Sequence, residues 1–486
     1  MVLKILYNVI PAILPPKYYT HVVVAVVGLI TVYTYMQGRK TTRERDLHDR
    51  TILVTGAFTP IGLTLLDALA KRGAHIITLS PTPIDTGLAA LLIPLLRSTT
   101  SNENIYAEHC DLSSPASIRA FATGFLKAEK QRLDAVVFAH EYAPAGRLFP
   151  QAQARADERA QAASCATFLL TTLLLPALLI APVERDIRLI TLVNPFYAAA
   201  APGFTASITS ASTAPASASS ASRTRAAVQR TAKEQPLFLR EGRRALRTAV
   251  LMRHLQRVLD SLPSGAQVPR TDANAQTIPV VSDKVQRSNI VAVSVSPGMS
   301  RADVVAPLLG ADTGAWGEVS WRGLALYVLL YPLLRLLTKT SFSAMQAVLH
   351  ALFLPTPFKY LAAATTPEST DADDRARDAE VLKPGALYAE CAVVRVRVAP
   401  APAPPETDSE PQPQAGKSNA EPRKQRVDDG EMGGEVLGTM VWEEYERELK
   451  AWEAAEKERE EREKSEGEKS GRHTPPTVDV DTPVSG

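Results

Sequence analysis

Cysteine is nearly absent: there are three in 486 residues, Cys110, Cys165 and Cys391, far apart and without C-x-x-C spacing. That excludes a disulfide framework and a thiolate zinc site, and it fits a reducing compartment. An excess of charge of one sign is also lacking. The formal net charge is +2, so no bulk field draws the chain to nucleic acid. No internal repeat is visible. Long apolar runs are scarce, the clearest being 21–36 and 323–338. What remains is a composition of 45% hydrophobic and 22% charged residues, typical of a globular protein. The length suffices for one large α/β domain plus tails.

Residues 21–36, HVVVAVVGLITVYTYM, carry no formal charge with His21 neutral. Sixteen helical residues span roughly 24 Å, against a hydrocarbon core of about 30 Å. Tyr18, Tyr19, Tyr33 and Tyr35 suit the interfacial belts. Arg39, Lys40, Arg43 and Arg45 follow, while only Lys4 and Lys17 precede. The positive-inside rule therefore predicts a single-pass anchor with the bulk of the chain cytosolic. The other reading is a buried helix of the globular domain. A short anchor suits the endoplasmic reticulum or the outer mitochondrial membrane better than the thicker plasma membrane.

From 51 to about 395, strand-like runs alternate with helical patterns, which predicts an α/β fold with a doubly wound, Rossmann-like parallel sheet. Strands are expected at Ile52–Val54, His75–Leu79, Ile105–His109, Ala135–Ala139, Ile187–Val193, Ile290–Val295 and Leu387–Val398. Helices are expected at 86–97, Ser117–Lys130, Ala152–Ile180, 239–261, 323–338, 342–353 and Val441–Glu461. The division expected is an anchor region at 1–46, a domain at 47–398 with insertions at 203–236 and 263–283, a disordered linker at 399–436, a charged helix at 437–465 and a disordered tail at 466–486. The Ala/Ser stretch 205–222 buries too little apolar area to offset its ordering.

The most informative stretch is Thr55-Gly56-Ala57-Phe58-Thr59-Pro60-Ile61-Gly62, between an apolar strand and an amphipathic helix. Strand, glycine turn and helix is the setting in which a dinucleotide pyrophosphate is cradled. The stretch resembles the TGxxxGIG turn of the short-chain dehydrogenase/reductases, with Pro60 at the middle glycine. Further stations resemble the membrane-anchored, retinol dehydrogenase-like branch: Cys110-Asp111-Leu112 with Ser117-Ile118-Arg119-Ala120-Phe121, Ser296-Pro297-Gly298, Lys339-Thr340 through Gln346, Gly385-Ala386-Leu387-Tyr388, and Trp442-Glu443-Glu444. Their order and spacing carry the resemblance. It implies NADP or NAD as cofactor, with Thr55, Gly56, Ile61, Gly62, Asp111, Pro297 and Gly298 at its site. Ser80, after the second strand, encodes neither cofactor preference. The NNAG position reads Phe138-Ala139-His140-Glu141, where Phe138 is expected to crowd the adenine ribose.

The family's chemistry uses a tyrosine acid, a lysine four residues later on the same helix face, a serine and an asparagine. None of the thirteen tyrosines here begins a Tyr-x-x-x-Lys. The resemblance puts Glu241 at the tyrosine, Ala245 at the lysine, Asn194 at the serine and Ala163 at the asparagine. A relocated set drawn from His140, Glu141, Asn194 and Glu241 is a further possibility. Asp111 is equally readable as a strand-end turn, and Thr59-Pro60 as ordinary helix initiation.

The function implied is a membrane-anchored binding or scaffold module of dehydrogenase fold without catalysis. The alternative is an NADP-dependent oxidoreductase on a lipophilic carbonyl or alcohol such as a retinoid, sterol or long-chain ketone. Segment 323–338 is readable as an interfacial or lobe helix, as core, or as a second span. The charged segment 441–465 is readable as a solvated terminal helix or as a protein-partner helix.

Overall fold

The central strands of the parallel sheet read as mostly apolar runs because both of their faces are covered. Thr51–Thr55 (β1), Ile187–Leu192 (β5) and Ile290–Ser296 (β6) are buried at every position. The structure, a computed structural model, describes residues 16–127, 132–142, 148, 153–182, 185–212, 236–262, 288–311, 320–357, 381–401 and 430–471. The other strands are His75–Ser80 (β2), Ile105–His109 (β3), Ala135–Phe138 (β4), Leu387–Ala389 (β7) and Ala392–Val394 (β8). The order is β3-β2-β1-β4-β5-β6-β7-β8, parallel except for the β7–β8 pair.

The helices, in chain order, are α1 (Tyr19–Met36), α2 (Pro60–Ala70), α3 (Leu88–Thr100), α4 (Pro115–Lys127), α5 (Gln153–Ile180), α6 (Tyr197–Ala200), α7 (Phe204–Ser212), α8 (Leu237–Ser261), α9 (Ala306–Leu309), α10 (Trp321–Leu337), α11 (Ser341–Phe353) and α12 (Gly434–Gly471). Alternate residues of β1 feed two cores, as strand pleating requires. Ile52 and Val54 join Leu65, Leu69, Val348 and Leu352, from α2 and α11. Leu53 joins Leu170, Leu174, Leu246 and Val250, from α5 and α8. Each such buried aliphatic contributes about 1.5–3 kcal/mol.

α1 has no buried residue and is long and apolar enough to cross a membrane. The Thr31 and Thr34 hydroxyls bond back to the Val27 and Ile30 carbonyls, so neither hydroxyl needs water. α5 is comparably apolar, but over half of its apolar length is buried against the rest of the domain; it is a core helix. Beyond α1 the chain is fastened down. Arg45, expected in the basic flank, instead turns inward to Asp186 at 3.0 Å, beside the buried Arg188–Asp186 pair at 2.8 Å.

The strands and helices lie within a few residues of the expected positions, with three differences. The single closing strand Leu387–Val398 is a hairpin, turned at Glu390 and Cys391, which both have positive φ. The insertion begins later than expected, because Phe204–Ser212 is helical and Phe204 is buried; residues 213–235 and 263–287 lie outside the described residues. The C-terminal helix starts at Gly434 and runs to Gly471, past both bounds expected for it.

Candidate functional site

The glycine turn lies at the carboxyl end of β1, where strand order reverses between β1 and β4. In open parallel sheets this is the ligand crevice. Gly56 has φ +65°, and a Cβ there would lie 2.7 Å from the His140 backbone nitrogen. A Cβ on Gly62 would lie 2.3 Å from the Gly56 oxygen. Neither position admits a side chain. Thr59 caps α2 by accepting from the Gly62 N–H at 3.1 Å, with Pro60 at the first helical position. Such a cap contributes about 1 kcal/mol.

The first-turn amides of α2 are all engaged. Thr59 N–H donates to Gly56 O, Pro60 has none, and Gly62 N–H goes to Thr59. Ile61 N–H donates to Asp303 Oδ1 at 2.8 Å. Asp303 is 1% exposed, and its other oxygen accepts from the Ser300 hydroxyl at 2.6 Å and the Ser341 hydroxyl at 3.1 Å. A carboxylate is stabilised at a helix N-terminus, and this one occupies the place an anionic ligand takes there. Sequence reasoning missed Asp303 because 242 positions separate it from Ile61.

The Pro297–Gly298 turn is braced from behind. Tyr142 donates its hydroxyl to Gly298 O at 2.7 Å and accepts from Ser300 N–H at 3.1 Å. Burial pushes this phenol far above its ordinary value, so it is a strut and not an acid. Lys339 donates to Pro297 O at 3.2 Å and pairs with Glu390 at 2.5 Å.

His140 follows β4. Its Nε2 lies 3.0 Å from Ala163 O, and its Nδ1 lies 2.7 Å from the Thr55 hydroxyl. This pattern assigns the proton to Nε2 and makes Thr55 the donor to Nδ1. Burial lowers the imidazole pKa and outweighs the neighbouring Glu141 carboxylate and Ala163 carbonyl, which raise it. Both ring nitrogens are thus committed within the fold, and the ring is neutral at physiological pH.

Asn194 and Glu241 come together. Asn194, 2% exposed, donates from Nδ2 to the Glu241 carbonyl at 3.2 Å and carboxylate at 3.3 Å. Arg244 closes on the same carboxylate at 2.6 Å. Glu241 and Ala245 are both buried on α8. Glu141 diverges from His140: its Oε2 accepts from Thr248 at 2.8 Å, while Oε1 is buried without a hydrogen-bond partner among the described residues. Thr248 also lies 3.2 Å from the Tyr445 hydroxyl, which lies 3.0 Å from Ser164. The His140/Glu141 pair therefore does not converge on one reacting atom.

Other expected residues hydrogen-bond or pack within the fold. Asp111 accepts from the Ser113 N–H and hydroxyl at 2.9 and 2.8 Å, which is the strand-end turn. Ser80 is buried and donates to Thr82 O. Phe138 does not crowd a ligand site: it is wholly buried with Leu53 and Phe168 in the second core.

Residues 50–175 match the family model for the KR domain. The uncharacterized oxidoreductase pbr1 of Schizosaccharomyces pombe is 36% identical over 120 residues, covering 24% of this chain and 32% of that one. The uncharacterized oxidoreductase YNL181W of Saccharomyces cerevisiae is 35% identical over 165 residues, covering 32% and 40%. Human retinol dehydrogenase 11 is 39% identical over 85 residues, covering 18% and 26%. The chain thus spans less than half the length of these curated relatives. Among solved structures, the short chain dehydrogenase from Shigella flexneri has a TM-score of 0.39 at 16% identity, covering 65% of this chain and 88% of that one. The glycine turn at the switch point and these sequence matches make residues 50–175 similar to the short-chain dehydrogenase/reductase superfamily, with the similarity running to the retinol dehydrogenase-like branch.

Proposed function

We propose that this protein is a membrane-anchored member of the superfamily that no longer reduces carbonyls and serves as a binding or scaffold module. The observation that carries this reading is Glu241. It stands where the resemblance places the proton-donating tyrosine, and it is buried and held by Arg244 and Asn194. Ala245, at the lysine position, offers no cation. Proton donation to a carbonyl requires an acid within hydrogen-bond reach of it, and Glu241 is turned to its own neighbours instead.

The cofactor reading follows the same line. A nicotinamide dinucleotide would supply hydride, and Gly56 and Gly62 keep the close turn such a cofactor needs. Its pyrophosphate, however, would meet Asp303 in place of a free amide. The phosphate end of the site thus offers one amide fewer to the cofactor, and on this reading its affinity for NADP or NAD is weak. α1 holds the chain in the endoplasmic reticulum or outer mitochondrial membrane, with the sheet domain in the cytosol. A protein partner at 441–465 would meet only the outer face of α12, since Val441 and Tyr445 face inward.

The test is a fluorescence titration of the purified chain with NADPH and then NADH. The expected result is no saturable binding below millimolar cofactor and no turnover of lipophilic ketones. Micromolar binding with turnover would overturn the proposal in favour of an NADP-dependent oxidoreductase on a retinoid, sterol or long-chain ketone. The retained Gly56 and Gly62, which admit no side chain, are the observation that keeps this second reading in play.

A further inference from the structure

α10 inverts the usual pattern of a surface helix. Its most exposed residues include Trp321 (81%), Val328 (63%) and Leu329 (75%), with Leu333 and Leu337 continuing the stripe. Spacings of seven, eight, twelve and sixteen residues from Trp321 place all five on one half of the helix surface. A globular helix normally shows water its polar face; this one shows an apolar stripe.

Both ends of α10 are tied to the domain. At its start, Ser320 N–H donates to Gly310 O at 3.0 Å, and Gly323 is buried against Leu309. Beyond its end, Lys339 N–H donates to Met299 O and Arg301 N–H to Lys339 O, both at 2.9 Å. A helix pinned at both ends to one domain cannot cross a bilayer; it can only lie along one. Seventeen residues give it a length of about 25 Å.

Its neighbour indicates what covers it. α10 packs beside α1, and the two helix ends are joined: Gln37, the residue after α1, donates its amide to Thr338 O at 3.2 Å. The exposed stripe is therefore continuous with the apolar surface of α1. Arg322 and Arg335 are exposed on α10, and Arg39 and Lys40 are exposed just past α1. Arg301 lies over the Tyr331 ring at 5.3 Å. Cations flanking an apolar stripe suit anionic headgroups.

We infer that α10 is a monotopic membrane-binding helix, immersed in the same leaflet that receives the cytosolic end of α1. The inference rests on the membrane reading of α1 and goes beyond it: the domain lies on the bilayer by its own lobe as well as being tethered to it.

Three single-cysteine proteins carrying an environment-sensitive dye test this, as full chains in phosphatidylcholine–phosphatidylserine vesicles containing doxyl-labelled lipid. The labelled positions are Val27→Cys in α1, Leu329→Cys in α10 and, as an exposed apolar control, Leu91→Cys in α3. The native cysteines are buried, and each is replaced by alanine. The expected result is blue-shifted, lipid-quenched emission at 27 and 329, with neither effect at 91. Quenching at 27 with a solvent-like signal at 329 would overturn the inference and leave the anchor standing. A blue shift at 329 without lipid quenching would mean that a second copy covers the stripe, which also overturns it. Solvent-like signals at both 27 and 329 would remove the anchor reading and this one together.

Discussion

At the residue scale the decisive group is Asp303. Asp303→Asn keeps an acceptor for the Ile61 N–H and removes the charge. The variant is expected to bind NADPH about tenfold more tightly, in line with charge effects of up to ~2 kcal/mol at a helix N-terminus. Unchanged affinity in a fluorescence titration would show that the carboxylate does not compete with phosphate. His140 sets a pH dependence. Its pKa in the fold lies below its ordinary value of 6.5, so the unfolded chain binds the proton more readily. The stability this contributes is complete above about 6.5 and is lost as pH falls below it. Thermal melts of the wild type should therefore drop between neutral and mildly acidic pH by more than those of His140→Gln. Equal drops would assign the effect to other groups. Gly56, Gly62 and the missing Tyr-x-x-x-Lys were legible in the sequence because they are local patterns. Asp303 was not, since only the folded sheet brings the segment after β6, and with it that carboxylate, to the start of α2.

At the element scale the C-terminal helix differs most from expectation. Its charge pattern reads as a solvated rod, yet Leu437, Val441 and Tyr445 are fully buried. Phe168 stacks on Tyr445 at 5.4 Å and meets Trp442 edge-on at 4.9 Å. Arg247 sits over the Tyr445 ring at 4.4 Å and pairs with Glu448 at 2.7 Å. Spacings of four residues are the helical signature of an inward face, but the glutamates, lysines and arginines from Glu443 onward dominate the composition of the helix. Tyr445→Phe is expected to cost about 1 kcal/mol, from the lost hydroxyl links to Thr248 and Ser164. Tyr445→Ala is expected to cost about 3–5 kcal/mol through the cavity it leaves. Chemical denaturation of both variants separates the two contributions; equal costs would mean that the ring does not pack as described. The central strands, in contrast, were legible almost to the residue, because burial on both faces leaves a mostly apolar run. The β7–β8 turn was not: Glu390 and Cys391 carry none of the glycine or asparagine that usually marks positive φ.

At the scale of the whole molecule, α1 is held by a joint and not by a loose tether. Beyond its bond to Thr338, Gln37 accepts at Oε1 from the Thr340 N–H at 3.2 Å and the Ser343 hydroxyl at 2.9 Å. Thr41 N–H reaches Gln346 at 3.3 Å. Gln37→Ala should lower unfolding stability by about 1–3 kcal/mol, because buried groups lose their partners, while membrane retention is unchanged. Denaturation and flotation on the same preparation read the two effects, and loss of retention would show that the joint, not α1, does the anchoring. The apolar run of α1 was plain in the sequence; the joint was not, because glutamine carries no sign of its partners.

That joint has a mechanical consequence. At 18 residues α1 is about 27 Å long, shorter than a hydrocarbon core of about 30 Å. A thicker bilayer draws the ends of a short helix inward, and with Gln37 fixed to the end of α10 the pull passes to the domain. On the proposed membrane placement, bilayer thickness sets how deeply the lobe is immersed, so membranes of different thickness would present the same cleft at different heights.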